Sequence, residues 1–118
     1  MKNDANQIYK LDKLIEYIGT DEEAIKNMIS IFLSTTPDLL LQLKNGLLTE
    51  NYEEIARSAH KLKPTLDIFG IDNLHEPIRF IEVHAKQKKN LPKITETSTL
   101  VEQTLEQVFM NLKRDYKL

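Results

Sequence analysis

The side chain best placed to do covalent chemistry is a histidine, His60, with a lysine, Lys63, three residues later. A neutral imidazole attacks activated phosphoryl groups, and an exposed imidazole titrates close to neutral pH. Residues at i and i+3 are neighbours on a helix surface, so the Lys63 ammonium would stand beside the ring. There it would favour the neutral imidazole and then hold phosphate oxygens once a transfer had occurred. The same spacing also describes an ordinary solvated surface pair, and spacing alone leaves both readings open.

The segment carrying this pair has one apolar stripe. At roughly 100° per residue, Ile55, Ala59, Leu62, Leu66 and Phe69 fall within about 80° of arc. His60 then lies roughly 140° from the centre of the stripe, on the outward side with Glu53, Ala56, Lys63, Pro64 and Asp67. The spacing therefore predicts a helix from Asn51, its cap, to Phe69, with the imidazole in solvent and Glu53 and Glu54 at the positive end of the dipole.

The remaining segments repeat apolar residues at steps of three and four, and none alternates as a strand does. Leu11, Leu14, Ile15 and Ile18 form a short stripe ending at Gly19. Thr20 with Glu23 reads as a capping box for a helix bearing Ala24, Ile25, Met28, Ile31 and Phe32 and stopping near Ser34. Thr36 and Pro37 read as a new cap and first helical residue, opening a helix with Leu40, Leu43, Leu47 and Leu48 that tolerates Gly46. After Gly70, Asp72 reads as the cap of a segment with Leu74, Ile78, Ile81 and Ala85, where Pro77 either kinks the helix or delays its start. A long helix after Pro92 carries Ile94, Ser98, Val101, Leu105, Val108 and Leu112. Single stripes and short connections predict an all-α fold, an antiparallel four-helix bundle with a short N-terminal addition. The whole chain, 1–118, reads as a single domain.

Composition removes several chemistries. There is no cysteine, hence no disulfide, thiolate nucleophile or Cys-based zinc site. No apolar run is long enough to span a bilayer, and the first ten residues show no export signal, which predicts a cytoplasmic location. The initial Met suggests a free-standing protein. A net charge of −2 and the absence of Trp argue against a nucleic-acid surface. Lys86, Lys88, Lys89 and Lys93 read as a solvated basic turn. His75 and His84, nine apart, would lie roughly 180° apart on one helix and form no H-E-x-x-H motif, so no metal site is expected. Neither a G-x-x-x-x-G-K-[ST] loop nor a kinase-type glycine loop is present, so direct use of ATP is not expected.

The stretch Ala59-His60-Lys61-Leu62-Lys63-Pro64, then Ile68-Phe69-Gly70-Ile71, Leu74, Ile78 and Ile81-Glu82, resembles the signature of the histidine-containing phosphotransfer (HPt) domain family of two-component phosphorelays. Weaker similarity runs through Phe32, Pro37, Leu39 to Leu41, and Leu48 to Tyr52. The resemblance implies that His60 is the phosphoacceptor and Lys63 its supporting cation. It also implies a phosphoryl carrier, not an ATP-using enzyme, which takes phosphate from a receiver-domain aspartyl phosphate and returns it to another receiver. Partners would be receiver domains of hybrid kinases and response regulators. Mg²⁺ would sit on the partner, with no cofactor on this chain.

Docking is expected around His60, on Ala56, Arg57, Lys61, Pro64 and Asp67, with the chain a monomer. At Pro64 the family often has glycine or serine. The missing N–H frees the carbonyl of His60 and predicts a bend beside the nucleophile. The other reading is an interaction bundle that docks a receiver or kinase without carrying phosphate.

Overall fold

The computed structural model describes residues 8–118. The reading of the first ten residues as free of an export signal therefore falls largely outside the described part. Five α-helices account for most of it, with no strand among the described residues: α1 (Asp12–Ile18), α2 (Glu22–Leu48), α3 (Tyr52–Ile68), α4 (His75–Lys86) and α5 (Leu91–Tyr116). Among the described residues, no helix is long and apolar enough to cross a membrane.

Helices α2 to α5 pack in a ring, each against the next and α5 back against α2. Cross-helix contacts fix the directions. Gly46 meets Ile55 near one end of the α2–α3 pair. Phe32 stacks on Phe69 at the other, with centroids 4.2 Å apart. Lys44 bonds Glu102 while Phe32 meets Phe109, so α5 also runs antiparallel to α2. The stripes of all four helices meet inside, with Ile29, Ile55, Leu62, Ile81, Ile94, Val101, Leu105 and Leu112 fully buried.

Two glycines allow close approaches. A Cβ at Gly46 would meet Ile55 Cγ1 at 3.0 Å and Ile55 N at 3.1 Å, tight contacts that the α2–α3 crossing avoids with glycine. Gly70 has φ +59°, and a Cβ there would sit 2.6 Å from the Lys10 carbonyl. The N-terminal segment crosses at that point, with Lys10 N–H donating to Phe69 O at 3.0 Å. Tyr9 OH donates to Asp115 Oδ2 at 2.5 Å, tying the same segment to the end of α5.

Three expectations of helix boundaries are corrected. The cap of α2 is Asp21, whose carboxylate accepts from Ala24 N–H at 3.1 Å, in place of Thr20. There is no break at Ser34 and no new start at Thr36: α2 is one helix of 27 residues with Pro37 inside it. Proline removes one backbone hydrogen bond and crowds the preceding turn, at about 3 kcal/mol. Against this, Ile25, Ile29, Phe32, Thr36, Leu40 and Leu43 form one unbroken buried stripe across the proline. Each large apolar side chain kept in the core is worth roughly 1.5–3 kcal/mol, so packing outweighs the lost bond.

Asp72 is not a cap either. It opens a 3-10 turn, Asp72–Leu74, and its carboxylate faces Lys10 Nζ at 3.4 Å. Helix α4 starts at His75, which places Pro77 in the first turn, where its missing N–H has no intrahelical partner. Of the two outcomes allowed for Pro77, the delayed start is the one observed.

Candidate functional site

Helix α3 begins as expected, with Asn51 Oδ1 accepting from Glu54 N–H at 3.1 Å. Its rotation is set by burial. Ile55, Ala59, Leu62 and Leu66 are all 0–1% exposed, and the exposed Arg57–Glu54 pair at 2.6 Å contributes only tenths of a kcal/mol by comparison. Burial of the stripe turns His60 outward, and its side chain is 68% exposed. The helix continues through Pro64 to Ile68.

Across the seam, α4 runs antiparallel to α3 and presents Glu82. This residue lies among Ile78, Ile81 and Ala85 and is 4% exposed. Three groups converge on its carboxylate. Lys63 Nζ is 2.7 Å from Oε1, His60 Nδ1 is 2.8 Å from Oε2, and Lys86 Nζ is 3.1 Å from the same Oε2. Burial alone would push the Glu82 carboxyl up, but hydrogen bonds from Lys63, Lys86 and His60 outweigh it and hold the pKa at about 2. The group is therefore an anion at neutral pH.

An ionised carboxylate only accepts hydrogen bonds, so His60 Nδ1 must donate. In the neutral ring this leaves the lone pair on Nε2. The arrangement supplies an oriented imidazole nucleophile, a buried anion to stabilise positive charge on the ring, and two ammonium groups at its side.

Lys63 does adjoin the histidine, but through Glu82: its ammonium rests on the carboxylate and its side chain is 26% exposed. Glu82 falls in the segment that resembles the family signature, but that resemblance assigns it no role. The available signal was an acid flanking the apolar stripe of α4, since a buried carboxylate is costly unless paired. The sequence pattern places Lys86 in a solvated basic turn. It instead belongs to this cluster, one helical turn after Glu82.

The remaining singled-out residues surround the site. Ala56 is half-buried, while Arg57, Lys61 and Pro64 are exposed. Asp67 is engaged by Arg79 Nη2 at 3.5 Å and lies 3.6 Å from His75 Nδ1. His84 is half-buried, its Nδ1 2.9 Å from the Phe80 carbonyl. Among the described residues, no group of three His, Asp or Glu side chains is placed to hold a metal ion.

Two hollows border α3, one reaching Pro64 and the other Ala56. One, of about 200 Å³, is apolar and lies between α2 and α3, lined by Met28, Ile31, Phe32, Pro64 and Ile68 among others. The other, of about 400 Å³, lies between the start of α3 and the end of α4, where Ala56, Arg57, Lys86 and Lys88 line it.

Comparison with protein-family models matches residues 27–110 to the Hpt domain. Comparison with curated proteins finds no match, and comparison with solved structures finds none.

Proposed function

The chain belongs to the Hpt domain family, phosphotransfer modules of two-component signalling, and from that premise we propose that it carries a phosphoryl group on Nε2 of His60. In this reading the donor is the aspartyl phosphate of a receiver domain and the acceptor is another receiver. The chain is a carrier and not an ATP-using enzyme. The single observation that supports the reading best is the 2.8 Å contact between His60 Nδ1 and the buried Glu82 carboxylate.

The step is an in-line displacement. The Nε2 lone pair attacks phosphorus, the N–P bond forms, and the phosphorus–oxygen bond to the donor aspartate breaks, its electron pair leaving with the carboxylate. Nε2 has no proton to shed. The ring becomes a phosphoimidazolium with its proton still on Nδ1, and Glu82 stabilises the positive charge that grows there, as a buried acid does for a catalytic imidazole elsewhere. Retention of that proton keeps the imidazole a good leaving group, which suits onward transfer.

Charge on the transferred group is balanced by Lys63 and by Mg²⁺ in the partner's acidic pocket. Docking centres on His60 and uses Ala56, Arg57, Lys61, Pro64 and Asp67. The apolar hollow beside Pro64 extends this surface onto α2, where Ile31 is 52% exposed. A relay needs partners to leave, so a modest interface fits the role.

The test is transfer from a receiver domain charged with phosphate, in Mg²⁺. The expected result is acid-labile, base-stable label on this chain that is absent from His60→Gln. Stable binding of the receiver with no label on the wild-type chain would favour the interaction bundle.

A further inference from the structure

The Glu82 carboxylate carries more positive charge than it needs. One anion is shared by two ammonium groups, Lys63 on Oε1 and Lys86 on Oε2, while His60 donates to Oε2 as well. Counting charges with a neutral imidazole leaves the cluster with one positive unit in excess.

The two lysines are not equivalent. Lys63 is held at 2.7 Å with 26% of its side chain exposed, whereas Lys86 is at 3.1 Å with 64% exposed. Lys86 stands on the same oxygen as the imidazole and borders the open hollow of about 400 Å³. Its four-carbon stem has room to turn there. Arg57, another cation lining that hollow, is already bonded to Glu54 at 2.6 Å.

We propose that Lys86 is a second phosphate-binding cation, which leaves Glu82 when Nε2 of His60 is phosphorylated and takes a phosphoryl oxygen instead. The exchange leaves Glu82 with the Nδ1 proton that fixes the imidazole and with Lys63, whose ammonium has three donors to share between Glu82 and the phosphoryl group. The resting cluster thus stores a cation beside the nucleophile at no cost to the orientation of the ring. This inference rests on the phosphocarrier reading of His60 and deepens it.

The ionisation of the phosphoryl group itself provides the test. Phosphoramidate phosphorylates imidazoles without a partner protein, and the ³¹P shift of the product can be titrated. The charged groups around that phosphoryl are His60, Lys61 and Lys63 from α3 and Glu82 and Lys86 from α4, with Glu53, Arg57 and Lys88 lining the adjoining hollow.

A neighbouring ammonium favours the dianion. Lys86→Gln should therefore raise the last phosphoryl pKa by roughly one unit, and Lys86→Arg should restore it. Lys93→Gln, on α5 and paired with Glu96, should leave it unmoved. The exposed Lys86 side chain makes unfolding of the variants unexpected, and circular dichroism verifies this. A phosphoryl pKa in Lys86→Gln equal to that of the wild type would overturn the role of Lys86 while leaving the carrier reading intact. No phosphohistidine on the wild-type chain would overturn both.

Discussion

The seam between α3 and α4 holds two constellations made of the same three kinds of group. At one end His60, Glu82 and two lysines meet. At the other His75, Asp67 and Arg79 meet. The two ends differ in two physical respects.

The first difference is burial of the anion. The Glu82 side chain is 5% exposed and contacts its partners at 2.7–3.1 Å, while Asp67 is 37% exposed with contacts of 3.5–3.6 Å. The second is the tautomer. His60 faces a carboxylate and must donate through Nδ1, which frees Nε2. His75 faces the Arg79 guanidinium, whose Nη1 donates to Nδ1 at 3.0 Å, so the neutral ring of His75 keeps its proton on Nε2. An exposed histidine beside a cation and an acid is thus not a site until the partner of Nδ1 is known.

Removing the anion is the strongest way to break the contrast. Glu82→Gln should lower the rate of phosphoryl transfer on the order of 10²-fold or more, because the ring loses both its orientation and its counter-charge. An effect confined to receiver binding, read as a raised KM with kcat unchanged, would contradict a role in orienting the imidazole. The same variant should lose about 1–3 kcal/mol of stability, measured by urea unfolding at neutral pH.

Acid titration sharpens the comparison. Folding holds the Glu82 carboxyl at about 2, below its ordinary value of 4.5, so folding favours the ionised form. Its contribution is fully present above pH 4.5 and is lost as the pH falls toward 2. The urea midpoint should therefore drop across that window, and drop less in Glu82→Gln. Parallel curves for the two proteins would show that ionisation of Glu82 is not linked to folding.

Smaller effects are expected nearby. Pro64→Ala restores an N–H for the carbonyl of His60 and should stabilise α3 by about 1 kcal/mol, within the limit set by proline in a helix interior. A rise in Tm with slower transfer would support a bend that serves docking. Asp67→Asn should change stability by less than about 0.5 kcal/mol, as half-exposed pairs do, and should leave partner-free phosphorylation of His60 by phosphoramidate within twofold. A loss from Asp67→Asn as large as that from Glu82→Gln would erase the distinction between the two ends.

Much of this arrangement was legible in the residues themselves. The stripe Ile55, Ala59, Leu62, Leu66, Phe69 placed His60 outside, the Asn51 cap started α3 where the structure does, and the α5 stripe was read in full. Two things were hidden for different reasons. Thr36-Pro37 satisfies the local rule for a helix start, and only the shared core of α2, α3 and α5 overrides it.

Glu82 and Lys86 were hidden because intrahelical spacing shows which residues share a face but not how far one helix slides along another. The register of α4 on α3 depends on the 3-10 turn at Asp72–Leu74 and the delayed start at His75. That register brings residue 82 level with 60 and 63.

In the proposed mechanism Glu82 fixes the ring so that Nε2 of His60 takes the phosphoryl group. A ¹⁵N–³¹P correlation spectrum of the phosphorylated, ¹⁵N-histidine-labelled chain tests it most directly. The expected spectrum shows phosphorus bonded to Nε2 of His60 with Nδ1 still protonated. Phosphorus on Nδ1, on His75 or His84, or on no histidine would contradict it.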